Sequence, residues 1–241
     1  MDIAIFGANG QTGRLLTGQA LAAGHRVVAA TRRPDNFPLS DPKLTVAAAD
    51  VRDPAAVTEV VAGVDAVLST LGVSFTREPV NTYSVGTANI VAAMQSSGVR
   101  RLAVVSSTGA YPTRRSEFPL ALRVFEPIIT RTIGKTVYDD MREMETIVRG
   151  SALDWTIVRP SGLFDLPAPT DYHAGEVDPI GGFTARIDLA HYLLTLADDS
   201  ATVGKTVVVS TTEHPPTVWQ MIRREARSKP ADATKPAAPA P

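Results

Sequence analysis

Cysteine is absent from this 241-residue chain. Disulfides, iron–sulfur clusters and thiol catalysis are thereby excluded, and a reducing compartment suits the chain. Histidine is scarce. His25, His173, His191 and His214 show no paired metal-ligand spacing, so no metal site is expected. Charge of one sign is lacking as well: the formal net charge is −1, which gives no ground for bulk binding to nucleic acid or to an anionic membrane. No apolar run reaches the length that spans a bilayer, and no secretory leader pattern precedes the first apolar segment. The expectation is a cytoplasmic protein whose partner is a small molecule, with no nucleic acid and no membrane. The oligomeric state is not legible.

What is present begins at the amino terminus. The apolar run Ile3-Ala4-Ile5-Phe6 ends at Gly7, glycines recur at Gly10 and Gly13, and an amphipathic segment from Leu15 to Leu21 closes at Gly24. That is a strand, a tight glycine turn and a helix. Gly7 permits the turn, Gly10 lets a phosphate approach the backbone, and Gly13 lets helix and strand pack closely. The helix start offers N–H groups and the positive end of a dipole, where a pyrophosphate fits. Gly7, Asn9, Gly10, Gln11, Thr12 and Gly13 are the phosphate-loop candidates. The spacing alone is a weak signal; its place between the first strand and the first helix makes it specific.

The second strand, Arg26 to Thr31, completes a βαβ beginning of about thirty residues, as a dinucleotide fold requires. An NAD-preferring site carries an acid at this strand end. Here the chain reads Thr31-Arg32-Arg33-Pro34. Two guanidinium groups there suit a 2′-phosphate through charge-assisted bonds, or form a solvated basic turn. Leu44 to Ala48 reads as the third strand. Asp50 and Val51 follow at the edge where an adenine would lie; the Asp50 carboxylate could accept from the adenine amino group or cap its own turn. Asp53-Pro54 starts a helix, with an acid at the cap and proline in the first turn.

Ala66 to Thr70 is the fourth strand and enters Leu71-Gly72, where the backbone could pass close to a cofactor. Val85 to Ser97 is a helix with Val85, Ala88, Ile90, Val91 and Met94 available for burial, and Gly98 ends it. The fifth strand, Leu102 to Val105, runs into Ser106-Ser107-Thr108-Gly109. Hydroxyls there face the ligand crevice, or satisfy their own turn. Residues 112–135 are apolar and basic, with Phe118, Leu120, Val124, Phe125, Ile128 and Ile129 among Arg114, Arg115, Arg123, Arg131 and Lys135. They could wall a pocket for a flat acidic substrate, form a lid or subunit contact, or pack as an ordinary helix.

Thr136 to Arg149 is a helix with Val137, Met141, Met144 and Val148 on one stripe. The sixth strand starts at Asp154, and Pro160-Ser161-Gly162 leaves it where a nicotinamide would rest. Residues 161–183, rich in Pro, Gly and Asp, read as a substrate loop. Ile187 to Leu196 is a helix, Thr206 to Ser210 a late strand and Pro216 to Arg227 a last helix. The tail, 229–241, lacks core-forming residues and is expected to be disordered. The fold expected over 1–228 is α/β. It is a Rossmann-type doubly wound parallel sheet with helices on both faces and a small C-terminal substrate-binding part.

The runs IAIFGANGQTGR, ATRRP, AADV, VVSSTGAY, LDWTIVRPSGL and ARIDLAHYLL together resemble the atypical short-chain dehydrogenase/reductase family over about residues 1–211. The likeness is greatest to its NAD(P)H-binding proteins of the flavin reductase (biliverdin reductase B) type, and NmrA-like redox sensors are more distant relatives. The resemblance implies NADP(H) as cofactor. It places Gly7, Gly10, Gln11, Thr12 and Gly13 on the phosphate loop, Arg32 and Arg33 on the 2′-phosphate, and Asp50 and Val51 on the adenine. Ser107 takes the place of the serine beside the reacting ring. One departure stands out. The wider superfamily uses Tyr-x-x-x-Lys, and the nearest match is Tyr138-x-x-x-Arg142. That spacing puts both side chains on one helical face, but Arg is not interchangeable with Lys. Ser107 and Tyr138 are the catalytic candidates. Three functions are compatible: an NADPH-dependent reductase of a flat conjugated acceptor such as a flavin or quinone, an NADP(H) sensor without turnover, and, disfavoured by the missing Lys, a sugar epimerase or dehydratase.

Overall fold

The computed structural model describes residues 1–111, 132 and 134–216. The apolar patch from Phe118 to Ile129, the last helix beyond Pro216 and the tail lie outside the described residues. The first half alternates as expected: β1 (Asp2–Phe6), α1 (Gln11–Ala22), β2 (Arg26–Thr31), β3 (Leu44–Ala48), α2 (Pro54–Val61), β4 (Ala66–Ser69), α3 (Thr82–Ser97) and β5 (Arg101–Val105). The second half adds α4 (Lys135–Gly150), β6 (Asp154–Pro160), β7 (Gly162–Phe164), β8 (His173–Gly175), β9 (Phe183–Ala185), α5 (Arg186–Thr195) and β10 (Lys205–Ser210).

Eight strands form one sheet in the order β3-β2-β1-β4-β5-β6-β10-β8. All of its pairings are parallel except the last, where β8 runs antiparallel to β10. The order reverses between β1 and β4, so the strand ends open a crevice there. Successive side chains alternate between the two faces. Phe6, Val67, Leu102, Val104 and Ile157 pack under α2, α3 and α4 on one face. Ile3, Ile5, Leu68, Val158 and Val209 pack under α1 and α5 on the other. The α/β sandwich expected from the sequence is the fold observed.

Local signals explain the starts and stops. Asp53 accepts from the N–H groups of Ala55 at 3.0 Å and Ala56 at 3.4 Å, capping α2 with Pro54 in its first turn. Gly98 ends α3 in the left-handed conformation at φ 72°. The stripe Val137, Met141, Met144 and Val148 is buried on α4. Two expectations need correction. Val85 is exposed, because α3 turns Tyr83, Gly86, Thr87 and Ile90 inward. A Cβ on Gly86 would meet Val51 at 2.7 Å, so the helix comes too close to the sheet edge for any side chain there. The 161–183 segment is not a plain loop either. β7 and β9 pair with each other, where Phe164 and Phe183 bury their rings edge-on in a small core of their own, and β8 joins the main sheet against β10.

Candidate functional site: the crevice at the strand ends

The glycine turn is dictated by close approach. Gly7 stands at φ 75°, and a Cβ there would come within 2.6 Å of the Thr70 carbonyl oxygen. A Cβ on Gly13 would lie 2.7 Å from the Ala8 Cα, so α1 can pack on the turn only without one. Gly10 differs: its N–H donates to the Gly7 carbonyl at 2.9 Å, and it sits exposed at the start of α1. No side chain caps α1 and no acid lies in its first turn. Its leading N–H groups and dipole end therefore face the crevice with no competing anion on the helix. Asn9 beside them accepts from Arg14 Nε at 3.0 Å.

At the end of β2, Thr31 is buried and its hydroxyl accepts from the Arg33 N–H at 3.2 Å. That bond shapes a turn from which Arg32 and Arg33 both project into solvent, with no ion pair to either among the described residues. Asp50 lies alongside. It caps its own turn through the Arg52 N–H at 3.0 Å and holds the Arg52 guanidinium at 3.0 and 3.2 Å. Those Arg52 bonds, side chain first and backbone second, hold the Asp50 carboxyl below the ordinary carboxylate range. Val51 buries its side chain and accepts from Asn89 Nδ2 at 3.0 Å through its carbonyl. Arg52, unremarked in the sequence, adds a third guanidinium to this edge.

At the end of β4, Thr70 turns its hydroxyl back to the Phe6 carbonyl at 3.1 Å, so it fastens the glycine turn from below. Leu71 packs on the core, and Gly72 is exposed with nothing within 4 Å of a Cβ placed on it. Backbone there adjoins open space.

The end of β5 separates two serines taken together in the sequence. Ser106 is buried and donates to Glu145 Oε1 at 2.6 Å, so its hydroxyl belongs to the floor rather than to the crevice. Ser107 is partly exposed, and its oxygen accepts from the Gly109 N–H at 3.1 Å, opening a short turn through Ala110. The hydroxyl proton points elsewhere, since an oxygen that accepts in this way keeps its donor. α4 packs against this turn. A Cβ on Gly109 would lie 2.7 Å from the Tyr138 hydroxyl oxygen and from its ring, so only glycine leaves room for the phenol. One helical turn on, Arg142 donates to the Ala110 carbonyl at 2.6 Å and pairs with Asp139. Ser107, Tyr138 and Arg142 thus meet at one turn. Phe75, from the segment after β4, stands 5.7 Å ring to ring from Tyr138 and is 40% exposed. Beyond them, Pro160 is buried, and Ser161 receives the Thr108 hydroxyl at 3.4 Å and donates its N–H to Thr184 at 2.9 Å. The Gly162 N–H donates to the Gly182 carbonyl at 3.1 Å.

Sequence reasoning missed the ionic floor beneath this turn. Glu145 is fully buried and receives Ser106, Arg159 through Nε and Nη2 at 2.9 and 2.5 Å, and Arg149 at 2.9 Å. Arg159 also stacks 4.1 Å from the Tyr111 ring centroid. Thr108, Tyr111, Arg159, Asp178 and Thr206 are among the residues lining an adjoining cavity of about 290 Å³. A glutamate on a helix and an arginine on a strand carry no mutual spacing signal. No helix is long and apolar enough to cross a membrane, and no metal-holding cluster occurs, in both cases among the described residues.

A parallel sheet in this order, a glycine turn into an uncapped helix, and a crevice at the strand ends define the dinucleotide-binding class of α/β proteins. The chain belongs to the NAD(P)H-binding family, whose model matches residues 7–200. It is 25% identical over 211 residues to a UPF0659 protein of Schizosaccharomyces pombe, covering 83% of this chain and 85% of that one. It is 40% identical over 113 residues to an uncharacterized protein of Mycobacterium tuberculosis, covering 46% of this chain but only 12% of that relative's length. Among solved structures it shares its fold with a short-chain dehydrogenase/reductase of Veillonella parvula in complex with NADP (TM-score 0.71, 21% identity, 88% of this chain and 95% of that one). An anaerobilin reductase of Escherichia coli O157:H7 has the same fold (TM-score 0.69, 19% identity, 90% of this chain and all of that one).

Proposed function

We propose that this chain is an NADPH-dependent oxidoreductase that passes hydride to a flat conjugated acceptor such as a flavin or quinone. The observation that carries the reading is the meeting of Ser107 and the Tyr138 phenol at the Gly109 turn, beside an exposed phenyl at Phe75. The residues present fit the dinucleotide. The uncapped α1 start would take the pyrophosphate, and Arg32 and Arg33, aided by Arg52, would take a 2′-phosphate. Gly72 and the exit of β6 at Pro160 to Gly162 would flank its nicotinamide end. Bound NADPH would supply the hydride; the chain supplies orientation and a pocket that excludes water.

Ser107, with its hydroxyl proton uncommitted to the turn, would hold the acceptor or the carboxamide. Tyr138 would border the acceptor and is not required as an acid, because a reduced flavin or quinone takes its proton from water. Arg142 is engaged by Ala110 and Asp139, which bars it from the role that the superfamily's lysine plays. That same engagement favours the second reading, a sensor that binds NADP(H) without turnover. A named reductase among the structural neighbours, and one neighbour holding NADP, support the first. The test is NADPH oxidation with flavin mononucleotide, dichlorophenolindophenol and small quinones. Turnover establishes the reductase; tight NADPH binding with no turnover of any acceptor replaces it with the sensor.

A further inference from the structure

We propose that Asp140 is a positioning residue: it caps α3 from α4 and so ties the crevice wall that follows β4 to the helix that carries Tyr138. An N-cap side chain accepts from the N–H groups two and three residues further on. Asn81 holds the cap position of α3, and its side chain makes no such bond. The two N–H groups it would take, those of Tyr83 and Ser84, donate instead to Asp140 Oδ2 at 2.8 Å and Oδ1 at 3.1 Å. Asp140 is 3% exposed. The cap is complete but supplied by another helix.

The same junction reaches the crevice. The Tyr83 hydroxyl accepts from the Val73 N–H at 3.2 Å. Burial pushes this phenol up to about 12, so it stays protonated. The Thr136 hydroxyl on α4 donates to the Thr76 carbonyl at 3.0 Å, and Phe75 lies against the Tyr138 ring. The segment from Val73 to Ser84 is therefore fastened to α4 at Thr136, Tyr138 and Asp140. The other side of α4 holds Gly109 and Ala110 through Tyr138 and Arg142. A bound dinucleotide that orders the Leu71–Thr76 wall would order Tyr138 with it. A cap at Asn81 would satisfy the same two N–H groups from α3 itself and remove the Asp140 tie, leaving only the Thr136 bond and the Phe75–Tyr138 contact between the two walls.

That difference gives the test, whose kinetic arm alone rests on the reductase reading. The variants are Asp140→Ala, Asn81→Asp, and the double variant that moves the cap onto α3 itself. Asp140→Ala should lower Tm by about 2–4 °C or more, and the double variant should recover most of that. Hydrogen exchange is then measured with and without NADPH. In the wild type NADPH should slow exchange over both 71–84 and 135–145; in the double variant it should slow the first as before and the second distinctly less. With an acceptor, the double variant should keep its NADPH Kd within about threefold while kcat falls by about twofold to tenfold. Recovery of kcat and of protection over 135–145 in the double variant would show that Asp140 is a helix cap and nothing more, and an unaltered Asp140→Ala protein would overturn the cap as well. If no acceptor turns over, the exchange comparison decides by itself and the reductase reading fails separately. Asp140→Asn, which keeps one accepting oxygen, takes the place of Asp140→Ala if the latter does not fold.

Discussion

Tyr138 occupies the space that a side chain on Gly109 would need, with its hydroxyl oxygen 2.7 Å from where the Cβ would stand. The contact places a phenol from α4 on the turn that begins at Ser107. It also makes Gly109 a lever on the tyrosine.

Gly109→Ala should displace the Tyr138 ring, because the clash is with the movable end of that side chain rather than with backbone. The stability loss should stay within the overpacking range of about 1–3 kcal/mol. Near-ultraviolet circular dichroism should change in Gly109→Ala and not in a Gly109→Ala variant of the Tyr138→Phe/Phe75→Ala background to the same extent. An unaltered spectrum and an unaltered Tm would mean that the ring does not rest there.

Arg32→Ala with Arg33→Ala should weaken NADPH at least about tenfold, since a charged hydrogen bond contributes about 1.5–3 kcal/mol. NADH affinity should hardly change. Fluorescence titration of both cofactors reads the difference; equal losses for the two would remove the 2′-phosphate from this turn.

Tyr138→Phe should lower kcat by less than about tenfold, below the 10²–10⁴-fold that a positioned proton donor supplies. Ser107→Ala should have the larger effect. A thousandfold loss in Tyr138→Phe, on the order of a full acid's contribution, would restore a tyrosine mechanism.

Glu145→Ala should destabilise the fold by about 1–3 kcal/mol, because it leaves the Ser106 hydroxyl and the largely buried Arg159 guanidinium without their acceptor, while the more exposed Arg149 can turn to water. Chemical denaturation with the slope held constant measures it. A change below about 1 kcal/mol would place the pair among surface bridges.

Acid should weaken the fold in a window set by Asp50 and Asp139. Side-chain hydrogen bonds from Arg52 and Lys135 respectively lower these carboxyls below their ordinary value. A depressed native value means that the unfolded chain binds the proton more readily. The stabilisation is therefore present above about pH 4, the unfolded aspartate value, and is lost as pH falls through the lower native values. Tm scans from pH 6 to pH 2.5 should show the fall below pH 4, smaller in high salt because both pairs are exposed.

The sheet was legible because its signals are local. β2 and β3 run over the residues their apolar patterns marked, and α2 begins at the Asp53-Pro54 signal. α3 begins three residues before Val85, just after Asn81, a cap-type residue the sequence offers at its start; what the sequence could not show is that the cap bonds come instead from Asp140, 57 residues from Tyr83. The glycine turn was legible for the same local reason, and Gly7 and Gly13 are needed by the fold itself. Ser106 and Thr70 looked like crevice residues from their place at strand ends. Their hydroxyls turn inward, to Glu145 and to the Phe6 carbonyl. Adjacent positions on a strand end alternate in facing, and chain order alone does not fix which one faces the ligand. The Glu145–Arg159 pair had no spacing to announce it.

β8 divides the stretch after β6 into two tethered arcs. Its pairing with β10 from His173 to Gly175 fixes the middle of the stretch in the sheet, and the buried Asp188 anchors Thr170 just before it. A hinged flap swinging as one piece would have to break this pairing. The two arcs also close on one base, since β7 pairs with β9 and Phe164 packs on Phe183, so a change at one end of the stretch is passed directly to the other while the β8 edge between them stays fixed in the sheet.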